Sequence, residues 1–143
     1  MILKIENKEQ LVDILNCFKP YLESLKNGVV CIEDIATKFF MYATIAVIYQ
    51  NNKIIGFISF YCNNTDNRTA FISLIAVLPE YTKKGFGKKL MEEAFEYCKN
   101  KEMKYIRLEV RKNNINALAF YQKLGFKTEE SETYNSIYLI KSL

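Results

Sequence analysis

The chain has 143 residues, half of them apolar and a quarter charged, with a formal net charge of +4 and no histidine. That length and composition suit one core and are too apolar for a disordered chain, so a single domain over residues 1–143 is expected. The missing imidazole excludes Ser-His-Asp and Cys-His hydrolases, histidine phosphotransfer and His-based metal sites, leaving Glu, Asp, Tyr, Lys or Cys to move protons.

The opening "MILKIENKEQ" carries Lys4, Glu6, Lys8 and Glu9 where a secretory signal needs an apolar run. The longest apolar stretch, Phe39 to Tyr49, is far below the roughly 18 residues of a membrane span. A cytoplasmic location without a membrane partner is therefore expected. "ILKI" reads as a short strand. Asn7 with Gln10 forms the pattern of a capping box, opening a helix that Pro20 interrupts and Gly28 ends. A second short helix is expected from about Glu33 to Met41. "ATIAVIY" and "IIGFISFY" read as strands joined by a hairpin at "QNNK".

After the polar "CNNTDNR", "AFISLIAVL" is nearly apolar throughout, as a central strand would be, and Pro79 ends it. From Gly87 to Lys99, Leu90, Met91, Ala94, Phe95 and Cys98 fall at helical spacing, with Glu92, Glu93 and Glu96 on the other side. "YIRLEV" alternates as a strand with one apolar face, "INALAFYQKL" is a helix ended by Gly125, and "YNSIYLIKSL" is a closing strand. The central strand, helix, strand unit should be a right-handed crossover with its two strands parallel. Cys17, Cys31, Cys62 and Cys98 are scattered without Cys-x-x-Cys spacing, so no metal is expected.

The chemistry concentrates in "PEYTKKGFGKKLMEEAF", residues 79–95. Between Thr82 and Lys112 there are ten basic and five acidic residues, which leaves the rest of the chain at −1. Gly85 and Gly87 stand among Lys83, Lys84, Lys88 and Lys89 at the mouth of a helix. A Walker loop needs a different spacing and a hydroxyl, and a dinucleotide fingerprint needs a third glycine where Leu90 stands. "KGFG" begins like an RNA-recognition strand, which would put Phe86 exposed on a strand, but helical periodicity follows at once. What fits is an anion at the helix N-terminus, where backbone N–H groups lack internal partners. A plain tight turn is the competing reading of an isolated Gly-x-Gly.

Taken with "LEVRKNNINALAFYQKLGF", the segment "IAVLPEYTKKGFGKKLM" resembles the GNAT superfamily of N-acetyltransferases, over about residues 43–140 and most strongly from Ile72 to Phe126. The resemblance implies an α/β (α+β) fold. Its mixed, mostly antiparallel sheet of about six to seven strands has a central parallel βαβ unit and flanking helices. It implies acetyl-coenzyme A as cosubstrate and an amine as acceptor. Ile75, Ala76 and Val77 would run along the pantetheine arm. Lys83, Lys84, Gly85, Phe86, Gly87 and Lys88 would hold the pyrophosphate, with Asn114 and Tyr121 beside the cofactor. Thr82 stands where the family carries Gln or Arg.

The resemblance assigns Tyr121, otherwise a core aromatic, as the acid for the leaving thiolate, and a backbone N–H near Val77 to the oxyanion. Phe71, Ser73 and Ile75, expected on one side of their strand, supply no base. Glu109, twelve residues before Tyr121, is the substitute, against the alternative of a surface glutamate paired with Arg107 or a neighbouring strand. The acceptor pocket would draw on Glu33, Asp34, Phe39, Phe40 and Tyr42. Implied partners are a small-molecule or peptide amine, such as an amino sugar or a peptide N-terminus, with no nucleic acid, and a monomer or homodimer. A silent coenzyme A binding module of the same fold is the alternative.

Overall fold

The structure, a computed structural model, describes residues 1–143 except Asn27 and Val29, and gives the backbone alone for Glu23, Ser24, Ser131 and Glu132. Seven strands form one sheet in the order β1-β2-β3-β4-β5-β7-β6. The strands are β1 (Ile2–Leu3), β2 (Thr44–Gln50), β3 (Lys53–Tyr61), β4 (Thr69–Val77), β5 (Tyr105–Arg111), β6 (Lys127–Glu132) and β7 (Ser136–Ser142). Every neighbouring pair is antiparallel except β4 with β5. The β2–β3 turn places Asn51 and Asn52 at φ 51° and 62°, the left-handed pair that a tight hairpin requires and that asparagine tolerates.

One face of the sheet is covered by α1 (Lys8–Phe18), the short α2 (Glu23–Lys26) and α3 (Ile32–Tyr42). The capping box expected at Asn7 is present: Asn7 Oδ1 accepts from the Gln10 amide at 3.1 Å and Gln10 Oε1 accepts from the Asn7 amide. Leu11, Ile14, Leu15 and Phe18 follow at 3, 4 and 7 residues and are buried against Ile45, Val47, Ile55 and Phe57. Pro20 then turns the chain into a single 3₁₀ turn, Lys19–Tyr21, because it lacks an N–H for the helix.

The other face carries α4 (Phe86–Asn100) and α5 (Ile115–Lys123). Leu90, Met91, Ala94, Phe95 and Cys98 of α4 are buried with Ile58, Phe60, Ala70, Ile72, Ile106 and Leu108 from β3, β4 and β5. Gly56 lets α4 lie close over β3, since a Cβ there would stand 3.2 Å from the Ala76 carbonyl oxygen and 3.3 Å from Leu90 Cδ1. Strand β6 was not foreseen. Its residues "KTEESE" lack an apolar alternation, and it is an edge strand that pairs only with β7.

Candidate active site

The parallel pairing of β4 with β5 runs from Thr69–Tyr105 to Ile72–Leu108 and stops there. Beyond it β4 continues to Val77 with β3 alone, and β5 continues to Arg111 with β7 alone. The two central strands therefore diverge, and residues 73–77 keep one unpaired edge and partial exposure. The Leu78 amide donates to the Ile55 carbonyl of β3 at 2.8 Å. Successive amides of an extended strand point to opposite edges, so those of Val77 and Ile75 point into the opening. Such amides can pair with an extended ligand as a further strand would, or stabilise a developing oxyanion.

The register of β3 against β4 slips by one between Ser59–Leu74 and Phe60–Ile72, making Ser73 the extra residue of a bulge. This corrects the expectation that Phe71, Ser73 and Ile75 share one face. Ile75 and Val77 pack on the α4 side and Leu74 and Ala76 on the α1–α3 side. The bulge resets the period-2 alternation, and no residue type in "AFISLIAVL" announces it.

Past the strand, Pro79–Tyr81 forms a 3₁₀ turn, closed by the Thr82 hydroxyl on the Pro79 carbonyl at 2.9 Å. Thr82 thus serves this turn. Lys83 and Gly85 are left-handed, with φ of 62° and 84°, and Gly85 is the N-cap of α4. A non-glycine residue held there is strained by about 1 kcal/mol or more. The Lys89 amide bonds to the Gly85 carbonyl at 3.1 Å, whereas those of Phe86, Gly87 and Lys88 precede the first internal acceptor of the helix. These donors, at the positive end of a 15-residue helix, make the turn a fit for a diphosphate.

The two glycines have different functions. Gly85 supplies the conformation, and nothing lies within 4 Å of where its Cβ would be; a Cβ on Gly87 would instead stand 3.4 Å from the Phe120 ring of α5. Lys83, Lys84, Lys88 and Lys89 are exposed around the turn. Lys84 also lies over the Tyr81 ring, Lys89 over the Phe86 ring, and Lys88 pairs with Glu92 at 3.9 Å. Phe86 begins the helix and packs edge-on against Tyr81. An exposed stacking aromatic on a strand, as the RNA-recognition reading required, is not what it forms.

Tyr121 lies on α5, packed with Phe120 and Phe126 against the α4-side core. Burial pushes its phenol up to about 12, so it keeps its proton throughout the neutral range. Asn114 caps α5, its Oδ1 accepting from the Ala117 amide at 3.2 Å. Glu109 is exposed on β5, opposite Tyr138 of β7. With Ile106, Leu108 and Val110 turned toward α4, the side on which Tyr121 packs, Glu109 belongs to the opposite face of the sheet from Tyr121.

The alternative of a Glu109–Arg107 pair is not what forms. Arg107 Nε donates to both carboxylate oxygens of Glu129, at 2.9 and 3.1 Å, and its guanidinium stacks 4.0 Å over Tyr138. Glu109 has no ion pair among the described residues. Sequence reasoning missed this cluster because its members come from three strands. A cavity of about 360 Å³ adjoins it, lined by Asn64, Asn67, Thr69, Phe71, Arg107, Glu129 and Ile140.

The expected acceptor residues divide. Phe39 is core, 2% exposed, and meets the Tyr61 ring edge-on, so helical burial claims it rather than a pocket. Glu33 pairs with Lys8 at 2.9 Å. Asp34, Phe40 and Tyr42 are exposed along α3. Among the described residues no group of three or more His, Cys, Asp or Glu side chains could hold a metal, and no helix is long and apolar enough to cross a membrane.

The sequence profile of the Acetyltransferase (GNAT) family matches residues 8–126. A [ribosomal protein bS18]-alanine N-acetyltransferase of Haemophilus influenzae is 40% identical over 80 residues, 55% of this chain and 51% of its own. A spermine/spermidine N(1)-acetyltransferase of Bacillus subtilis is 27% identical over 121 residues, 80% of this chain and 76% of its own. A solved Bacillus anthracis structure, an acetyltransferase of the streptothricin type in complex with acetyl coenzyme A, superposes with a TM-score of 0.63 at 31% identity, covering 71% of this chain and 63% of that one. The chain spans 49%, 37% and 55% of the lengths of three other curated relatives. A profile covering most of the chain, on a fold with a split parallel pair and an anion-ready helix turn, shows that this protein belongs to the GNAT family.

Proposed function

We propose that this protein is an acetyl-coenzyme A dependent N-acetyltransferase acting on a primary amine of low basicity, such as an amino sugar or a peptide N-terminus. One observation carries the reading: the unpaired edge of β4 leads directly into a turn whose helix amides have no partner. That run of donors suits an extended arm ending in a diphosphate. The relatives act, by their names, on a protein alanine and on spermine and spermidine, which fits an amine acceptor without fixing one.

Acetyl-coenzyme A supplies an activated acetyl thioester; the chain's residues bind, orient and move protons. The turn of Lys83, Lys84, Gly85, Phe86, Gly87 and Lys88 grips the diphosphate, and Ile75, Ala76 and Val77 hold the pantetheine arm. The Val77 amide, aimed into the opening, meets the negative charge that develops on the thioester oxygen. Tyr121 keeps its proton for the departing sulfur. Asn114 uses its carbonyl as a cap and keeps its side-chain N–H₂ for the cofactor. Glu109 is the base, with no competing ion pair among the described residues.

An exposed single carboxylate is a modest base, and the arithmetic then favours weakly basic acceptors. Deprotonating a lysine of pKa ~10.4 at pH 7 costs about 4.6 kcal/mol, against about 1.4 kcal/mol for an α-amino group near 8. Thiol release over a panel of amines at pH 7 tests the reading. Amino sugars or short peptides should react faster than lysine side chains, and faster lysine acetylation would defeat the choice of acceptor. Stabilisation by acetyl-coenzyme A without turnover of any amine would leave a binding module instead.

A further inference from the structure

Two cysteines from different elements meet on the α4 side of the sheet. Cys62 directly follows the last residue of β3, Cys98 lies in the last turn of α4, and both pack in the same apolar cluster. The ring pair beside them holds the two elements together, Phe60 of β3 meeting Tyr97 of α4 edge-on at 5.5 Å. The thiols are joined by a side-chain hydrogen bond, Cys98 Sγ–H donating to Cys62 Sγ, and no disulfide links them. Sulfurs already in contact need only a short approach and side-chain rotation to reach the bonding distance of about 2.05 Å.

The two differ in access and in charge. Cys98 is 0% exposed, whereas Cys62 is half-buried where the exposed loop Asn63–Asn67 begins. The hydrogen bond from Cys98 pulls the Cys62 thiol below its ordinary value against the effect of burial, and the charge of Lys101 adds to it. Lys101 is held nearby, its Nζ 5.6 Å over the Tyr97 ring. The same hydrogen bond, with burial and the Cys62 charge, pushes Cys98 up, so Cys98 keeps its proton. A thiolate beside a cation and within reach of solvent is the reactive kind of cysteine. Cys17 and Cys31 are exposed and belong to neither core cluster.

We propose that Cys62 and Cys98 form a peroxide-responsive dithiol that closes to a disulfide linking β3 to α4. This goes beyond the acetyltransferase reading and does not depend on it. The Cys62 thiolate attacks one oxygen of hydrogen peroxide and breaks the O–O bond, giving a sulfenic acid, while the other oxygen takes up a proton and leaves as water. The Cys98 sulfur then attacks the Cys62 sulfur. The S–S bond forms as the S–O bond breaks, and the hydroxyl leaves as water with the Cys98 proton. Each sulfur gives up one electron, and the peroxide takes both to become two waters. Cys98 is in place before the attack, so it intercepts the sulfenic acid ahead of a second peroxide and oxidation stops at the reversible stage. The bond fastens the C-terminal end of α4 to the sheet, about 20 Å along the helix from Gly85.

The experiment treats the reduced full-length chain with one equivalent of hydrogen peroxide, then alkylates and digests it without reductant. Mass spectrometry should find the Cys62 and Cys98 peptides linked. The melting temperature should rise by about 5–10 °C through closure of the loop between them, and fall back with dithiothreitol. Cys98→Ala should accumulate sulfenic acid at Cys62, trapped with dimedone, and pass to sulfinic acid in excess peroxide. Cys62→Ser should give neither product at this site.

No linked peptide from the folded wild type would overturn the proposal, as would a link that forms only in urea. Sulfenic acid trapped at Cys62 as readily in wild type as in Cys98→Ala would remove Cys98 as its partner. A melting temperature that falls on linking would show that the native packing does not accommodate the bond, and would also overturn it. Should Cys98→Ala fail to fold, the wild-type peptide map decides alone. A chain that links Cys62 to Cys98 but acetylates no amine upholds this proposal and defeats the acetyltransferase reading instead.

Discussion

Replacing Gly85 by alanine tests the diphosphate turn, and the structure sets the size of the effect. Gly85 is at φ 84°, with nothing within 4 Å of the added Cβ, so the penalty is conformational rather than steric. An alanine in the left-handed region is strained by about 1–2 kcal/mol. If the turn holds its shape, the melting temperature falls by about 3–6 °C. If it relaxes instead, the amides of Phe86, Gly87 and Lys88 lose their common aim and coenzyme A affinity falls by roughly tenfold, about 1.4 kcal/mol. Gly87→Ala is the control. Its Cβ would meet the Phe120 ring at an ordinary 3.4 Å, and alanine is the better helix former by up to about 1 kcal/mol. It should leave stability nearly unchanged, so a loss of coenzyme A affinity in this variant reports the close approach of the diphosphate to the Gly87 backbone. Thermal unfolding with and without coenzyme A, and calorimetric titration of both variants, separate the two glycines. A Gly85→Ala protein with wild-type stability and wild-type coenzyme A affinity would refute the assignment of this turn.

Tyr121→Phe should lower kcat by about 10²-fold with little change in the KM for acetyl-coenzyme A, and equal losses in a variant that melts early would point to packing instead. Because the folded phenol is raised to about 12 from the usual 10, the folded state holds the proton more tightly than the unfolded chain. Tyr121 therefore contributes stability that is fully present below pH 10, declines as pH rises, and is lost above about 12. Denaturant titrations at pH 9 and 11 should show a steeper loss in wild type than in Tyr121→Phe. Glu109→Gln should reduce kcat/KM more for strongly basic amines than for weakly basic ones while leaving unfolding unchanged, and equal rates for both classes would remove it as the base. Glu129→Gln should weaken the part-buried Arg107 bond and lower stability by about 1 kcal/mol, read from urea unfolding midpoints.

Much of this protein was legible in its sequence because the signals were local. The Asn7–Gln10 box, the Asn51–Asn52 turn and the apolar spacing of α4 each depend on residues within a turn or two of one another. So does the pairing of a left-handed glycine with a helix start, which marks the candidate anion site. β6 escaped because an edge strand can be polar on both faces, and its pairing partner, not its composition, makes it a strand.

Tertiary structure decided where the strands part. Whether β4 and β5 separate after Ile72 depends on the register of the whole sheet and on the bulge at Ser73, which no short segment encodes. It also separated the roles of the glycines, since Gly87 answers to Phe120 thirty-three residues later. It took Phe39 into the core and gave Arg107 to Glu129 instead of Glu109. Sequence alone determined the elements other than β6 and the charge around the turn, because helix and turn preferences act through neighbours along the chain. Which side chains meet across the opening follows from non-local packing, and that appears only once the sheet has formed.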